Sequence, residues 1–138
     1  GEVVDESGEV LGAHEGIHQF TLGQRKGLGF EKMLPMYVVD IQKESGRVVV
    51  GENASLMKRT FRVRESRWIR EAPTPGERLE AQIRNRFAPM PASVRSVSNE
   101  VWEASFEQPQ RAITPGQAAV FYRGDEVVGG GWIDRVVA

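Results

Sequence analysis

Glycine and proline set the first limit on what this chain can form. Fifteen Gly and seven Pro divide 138 residues into short runs rich in Val, Ile and aromatics. No stretch sustains a 3.6-residue apolar period over about twelve positions, so no long amphipathic helix is expected and the chain reads as mostly β. Hydrophobic residues make up 40% of the sequence, enough for one compact domain or two small ones and too many for a disordered tail. No window approaches the roughly 18 consecutive apolar residues of a membrane helix, and the opening GEVVDESGEV lacks the basic and apolar regions of a signal peptide. A cytoplasmic protein with no membrane partner is expected. Because the sequence starts without Met and runs almost at once into strand-like residues, a piece of something longer is also expected.

Zero cysteines exclude a disulfide framework, a thiolate zinc site and a cysteine nucleophile within the chain, and they fit a reducing compartment. Strand candidates at Glu2 to Val4 and Glu9 to Leu11 form a first hairpin across Asp5, Ser7 and Gly8. Met36 to Ile41 and Arg47 to Val50 form a second, with Gly46 free to take a positive φ at the turn. Between them, IHQFTLGQRKGLGF reads as a structured loop with at most one helical turn, starting near Thr21 as N-cap.

After residues 55 to 60 the pattern becomes regular. In TFRVR, Phe61 and Val63 point inward and Arg62 and Arg64 outward. In RLEAQIRNRF, Leu79, Ala81 and Ile83 point inward and Arg78, Arg84 and Arg86 outward. Ala92 to Val97 and Glu100 to Phe106 flank a turn at Ser98 and Asn99, and Gln117 to Tyr122 and Glu126 to Ile133 flank RGDE. Such spacing predicts a barrel of five or six strands over 58–138, after a β-rich domain over 1–57. Trp68, Trp102, Phe87 and Phe106 sit in or beside apolar strand patterns and are expected in the core rather than as base-stacking platforms.

The net charge of −1 hides a strong asymmetry. Residues 1–57 hold five basic and nine acidic side chains (−4), residues 58–95 ten and four (+6), and residues 96–138 three and six (−3). A basic belt on two strands has the chemistry that phosphate backbones attract; a solvated barrel surface has the same composition.

Three motifs bear on chemistry. HEGIH, His14 to His18, matches the zinc-hydrolase pattern H-E-x-x-H, but Gly12 and Gly16 oppose the helix that the pattern requires, so these histidines read as loop or interface residues. GQRKGLG, Gly23 to Gly29, could bring backbone amides, Arg25 and Lys26 to an anion; a cationic turn in water is the plainer alternative, and the spacing is not that of a nucleotide-hydrolysing loop. In ITPGQAAVFY, Pro115 and Gly116 suit a tight turn with Gln117 at its exit, and the glycines of VVGGGWI suggest a crowded backbone contact. The triplets Asn53-Ala54-Ser55 and Arg123-Gly124-Asp125 carry no assignment.

Taken together, GEVVDESGEVLGAHEGIHQFTLGQRKGLGF, MYVVDIQKESGRVVVGE, IRNRFAPMPASV and FEQPQRAITPGQAAVFYRGDEVVGGGWI resemble, in order and spacing, the C-terminal half of the tRNA-specific 2-thiouridylases. The resemblance covers essentially the whole chain. It implies an N-terminal ATP-pyrophosphatase domain, a small central β-rich domain, and a C-terminal barrel similar to the second domain of elongation factor Tu. It also implies adenylation of C2 of the wobble uridine of tRNA with ATP and magnesium, then sulfur delivery from a cysteine persulfide. This chain has neither an SGGVDS-type loop nor a cysteine, so it carries no catalytic residue, cofactor or metal site of its own.

The implied role is to bind tRNA and position domains, or only to pack as a scaffold on the catalytic domain. The implied partners are tRNA, the enzyme's own pyrophosphatase domain, and a sulfur-carrier protein or cysteine desulfurase. Position by position, the family's tRNA-contacting pair aligns with Arg84 and Asn85, the latter where Tyr is common, and its tRNA-contacting Gln with Gln117. Arg25 and Lys26 match the GQRKG segment, expected to face the catalytic domain or tRNA. Arg86, Arg67 and Arg111 join the candidates from the charge pattern.

Overall fold

The structure, a computed structural model, describes residues 1–25 and 36–138. Lys26 lies outside the described residues. Two compact units, Gly1–Met57 and Lys58–Ala138, each enclose their own core.

In the first unit, β1 (Glu2–Asp5), β2 (Val10–Ala13), β3 (Tyr37–Gln42) and β4 (Arg47–Gly51) form a sheet in the order β2-β1-β4-β3. Both expected hairpins form, and β1 joins them by running parallel to β4, Val3 beside Val48. The Asp5 carboxylate closes the first turn by accepting from the Ser7 hydroxyl and from the Ser7 and Glu9 amides. Gly46 closes the second at φ +74°. Val3, Val38, Val48, Val50 and Phe20 make the core.

No helix starts at Thr21. A 3-10 turn occupies Ile17–Gln19 instead, and Thr21 opens a tight turn in which the Gln24 amide donates to the Thr21 carbonyl, with Gly23 at φ +84°. A left-handed residue there breaks helical progression. The edge of β3 then captures the segment, through Gly23 N–H to Val38 O and Val38 N–H to Gln24 O.

The second unit is a closed barrel. Its strands are β5 (Met57–Trp68), β6 (Glu77–Gln82), β7 (Met90–Ser98), β8 (Val101–Arg111), β9 (Ala118–Arg123) and β10 (Glu126–Val136), in the order β10-β5-β8-β7-β6-β9. Period-2 alternation fills it: Phe61, Val63, Leu79, Ala81, Ala92, Val94, Phe106, Phe121 and Ile133 are buried. Rings stack through this core, with Trp68 edge-on to Trp102 at 4.9 Å and Phe61 beside Phe106 at 5.5 Å.

Three expectations are corrected. The strand through RLEAQIRNRF ends at Gln82, and residues 83–89 leave the ladder, which makes Arg84 and Arg86 loop residues. The reason is local: the Gln82 amide donates to the carbonyls of Asn85 and Phe87, so the turning backbone needs no partner strand. Phe87 rides on that loop and is 61% exposed rather than core. The β7–β8 turn falls at Asn99 and Glu100, because Ser98 still pairs with Val101 and Glu100 takes φ +59°.

The run Gly129 to Gly131 in β10 is a crowded contact. None of the three has a positive φ, so space and not conformation demands glycine. Gly131 lies opposite a bulge at Glu65 and Ser66, where Gly130 pairs with Arg67 and Trp132 with Arg64. A Cβ on Gly131 would stand 2.7 Å from the Arg64 carbonyl oxygen, and one on Gly130 2.6 Å from that of Ala119. Replacing Gly131 by Val should therefore lower the unfolding free energy by about 1–3 kcal/mol, seen as a lower urea midpoint; an unchanged midpoint would mean that β5 and β10 separate without cost.

Candidate nucleic-acid interface

Tertiary pairing largely neutralises the basic belt. Of its ten cations, six are within ion-pair distance of a carboxylate: Arg62 and Arg95 with Glu103, Arg64 with Glu65 and Asp134, Arg67 with Glu100, Arg70 with Glu126, and Arg78 with Glu107. Five of those six acids belong to the acidic segment 96–138, which lies along the belt in space. Such exposed pairs add little stability, but they cancel charge. Lys58, Arg59 and Arg86 form no ion pair with the described residues.

The barrel's alternating strand directions decide where the uncancelled charge stands. Strands β5, β7 and β9 start, and β6, β8 and β10 finish, at one end. That end carries Lys58 and Arg59 at the start of β5, the loop 83–89 and the connection 112–117; the two connections hold Arg84 and Arg86 and no acid. Connections at the opposite end, 69–76, 99–100 and 124–125, hold Arg70 against Glu71, Glu100 and Asp125. Asn85 and Gln117 share the cationic end, since each lies three residues beyond the last β6–β9 pair, Gln82 with Val120.

Arg84 is tied to the backbone there. Its Nη2 donates to the carbonyls of Arg111 and Ala112, both at 2.7 Å, and Ala112 is a non-glycine residue at φ +52°. The Thr114 hydroxyl donates to the same Ala112 carbonyl at 2.8 Å. Left-handed alanine costs on the order of 1 kcal/mol, and these three bonds hold it. Beyond Thr114, Pro115 and Gly116 form the expected turn: Gly116 is at φ +89° and the Gln117 amide reaches the Thr114 carbonyl. Gln117 is exposed, and its side chain has no hydrogen bond among the described residues.

The loop 83–89 has a second anchor that sequence reasoning missed. Tyr122 Oη donates to Gln82 Oε1 at 2.9 Å, fixing the amide whose Nε2 binds the loop carbonyls. Nothing in the one-dimensional pattern marks this pair, since both read as ordinary strand residues. Asn85 and Arg86 are exposed, with side chains unpartnered among the described residues.

The other candidates stand elsewhere. Arg67 lies toward the opposite end of the barrel, paired with Glu100 at 2.9 Å. Arg111 ends β8, and its carbonyl is one that Arg84 grips. Arg25 is exposed in the first unit. HEGIH lies on no α-helix, its last two residues opening the 3-10 turn Ile17–Gln19: β2 ends at Ala13, and the His14 Nε2 meets the Gly46 carbonyl at 2.6 Å, pinning the β3–β4 turn. No group of three or more His, Cys, Asp or Glu suited to a metal occurs among the described residues, and no described helix is long and apolar enough to cross a membrane.

The second unit is therefore a small antiparallel barrel with one end whose connecting loops carry no acid. Comparison with known proteins narrows this. Residues 58–133 match the family model described as an aminomethyltransferase beta-barrel domain, and residues 1–52 the one described as a tRNA methyl transferase PRC-barrel domain. The chain is 51% identical to the tRNA-specific 2-thiouridylase MnmA of Acidobacterium capsulatum over 96% of its length, 46% identical to that of Koribacter versatilis over 96%, and 47% identical to that of a Synechococcus strain over 98%. It belongs to the tRNA-specific 2-thiouridylase family, an enzyme family, and spans about 37% of the length of these curated relatives.

Two carboxylates of the barrel wall are held below their ordinary range. The Arg123 hydrogen bond, helped by the Thr74 amide, lowers Glu77. Burial works to raise Glu103, and the hydrogen bonds and charges of Arg95 and Arg62 more than offset it. A lowered folded value contributes stability that is complete above the ordinary value near 4.5 and is lost as pH falls through the folded one. The melting temperature should therefore fall below about pH 4, and less steeply in a Glu103→Gln variant. Equal acid slopes would remove Glu103 from the account. Replacing Arg84 by Ala should cost about 1–3 kcal/mol by releasing two buried-side carbonyls, measured by denaturant unfolding; a neutral result would mean water replaces the guanidinium freely.

Proposed function

We propose that this chain is the tRNA-holding and domain-positioning region of a tRNA-uridine 2-sulfurtransferase, the cationic end of the barrel being its tRNA contact. The supporting observation is the concentration of Arg86, Lys58, Arg59 and the neutral donors of Asn85 and Gln117 where the loops carry no acid. Cations of this kind neutralise phosphates and set register, while neutral amides accept or donate at sugar and base edges. Arg25 and Lys26 would act on the same tRNA or on a pyrophosphatase domain.

Adenylation of the wobble uridine with ATP and magnesium, and sulfur transfer from a carrier protein or cysteine desulfurase, would be carried by that other domain in the cytoplasm. The residues here do not fit ATP, magnesium or persulfide, because they include no phosphate-cradling loop of the required spacing, no metal donor cluster among the described residues and no cysteine.

A scaffold reading is favoured by one observation, the internal pairing of six belt cations. Affinity for tRNA at two salt concentrations separates the two. Binding that weakens with salt is expected, with the slope of log K against log salt reduced by about one unit in Arg86→Ala and affinity lowered in Gln117→Ala at unchanged slope. Affinity independent of salt and of both substitutions would favour the scaffold. Arg84 is a poor choice for this test, since its loss disturbs Ala112 as well as any contact.

A further inference from the structure

We propose that Phe87 is a stacking platform for an unpaired nucleobase, with the cleft beside it receiving the base. The inference rests on the tRNA-binding reading and adds the site and the chemical class of what it takes. Phe87 is 61% exposed, in a loop where the three preceding side chains, Arg84, Asn85 and Arg86, are cationic or polar. The Arg84 guanidinium carbon lies 5.6 Å from the ring centroid and covers one face. That guanidinium cannot swing away without giving up two 2.7 Å bonds to the Arg111 and Ala112 carbonyls. The backbone carbonyl of Phe87 is held by Gln82, which Tyr122 orients.

The platform is thus braced before any ligand arrives, which reduces the ordering cost of binding. Beside it is a cleft of ≈ 120 Å³, lined by Ala81, Ile83, Met90 and Phe106 together with Gln110 and Arg111. An apolar floor suits the face of a heterocycle, and an amide and a guanidinium suit its polar edge. Arg86, exposed and without an ion pair among the described residues, stands one residue away to meet the adjoining phosphate. A cation, an aromatic ring and a second cation in sequence are the features with which proteins hold single-stranded nucleic acid. A protein partner would need the apolar ring but not the unpaired charge beside it.

The test uses the 138-residue chain and two single-stranded RNA probes of about twelve nucleotides, an oligouridylate and its abasic counterpart, followed by fluorescence anisotropy alongside tRNA. Phe87→Ala is expected to weaken oligouridylate binding roughly tenfold with the salt slope unchanged, to leave the abasic probe unaffected, and to be rescued by Phe87→Trp. Because the side chain is mostly exposed, the melting temperature of Phe87→Ala should match that of the parent. Equal weakening of both probes, or no weakening of either, overturns the proposal and assigns the ring to packing or to a protein surface. If the parent chain binds tRNA while Phe87→Ala changes nothing, the stacking proposal alone falls. If the parent binds no RNA, the tRNA-binding reading falls with it.

Discussion

Closure of the barrel at β10 is the contact on which the rest of the second unit depends. β10 must pair with β5 and β9 at once, and at Gly129, Gly130 and Gly131 neighbouring atoms stand where a Cβ would have to be. Glycine lets the strands approach, and the bulge at Glu65 and Ser66 bends β5 to meet them. A closed antiparallel ring has no unpaired edge. It also leaves no freedom over direction, so each connection is assigned to one end or the other. The gathering of 83–89 and 112–117 at one end follows from that closure.

Electrostatics then acquires a direction that the linear charge pattern lacks. Belt and acidic tail alternate around the wall, because β8 and β10 carry acids against arginines of β5, β6 and β7. The wall is nearly self-neutralised, and the unpaired cations of the belt itself stand at the start of β5 and in the loop 83–89, beyond the reach of these cross-strand pairs. A nucleic acid approaching such a surface meets a positive rim rather than a positive belt. Of the remaining belt cations, Arg84 is held by backbone carbonyls, and Lys58, Arg59 and Arg86 face no carboxylate among the described residues.

Arg84 illustrates how a residue can be expected for one reason and held for another. Its alignment and its charge both point outward to a ligand. In the structure two of its donors are spent inward, on the carbonyls of Arg111 and of a left-handed Ala112 whose conformation sets the start of the turn that presents Gln117. The two roles are compatible, since a guanidinium has five N–H donors and two are used here. Phe87 shows the reverse case: it reads as a core residue because its neighbours alternate, and it is exposed because Gln82 ends the strand five residues earlier.

What the sequence determined by itself was local. Period-2 alternation in TFRVR and RLEAQ, positive-φ glycine at Gly46 and Gly116, and the punctuation by Gly and Pro are all short-range, so they specified strands, turns and a mostly β barrel without any knowledge of partners. The glycine run announced a close approach without saying to what. Only the tertiary structure decided which charges cancel, which loops share an end, and which aromatic ring stays in water. Those outcomes rest on pairings such as Arg62 with Glu103, Arg84 with Ala112 and Tyr122 with Gln82, which are separated by 41, 28 and 40 positions along the chain. Nothing in a local pattern encodes contacts over such distances; they are set when the barrel closes.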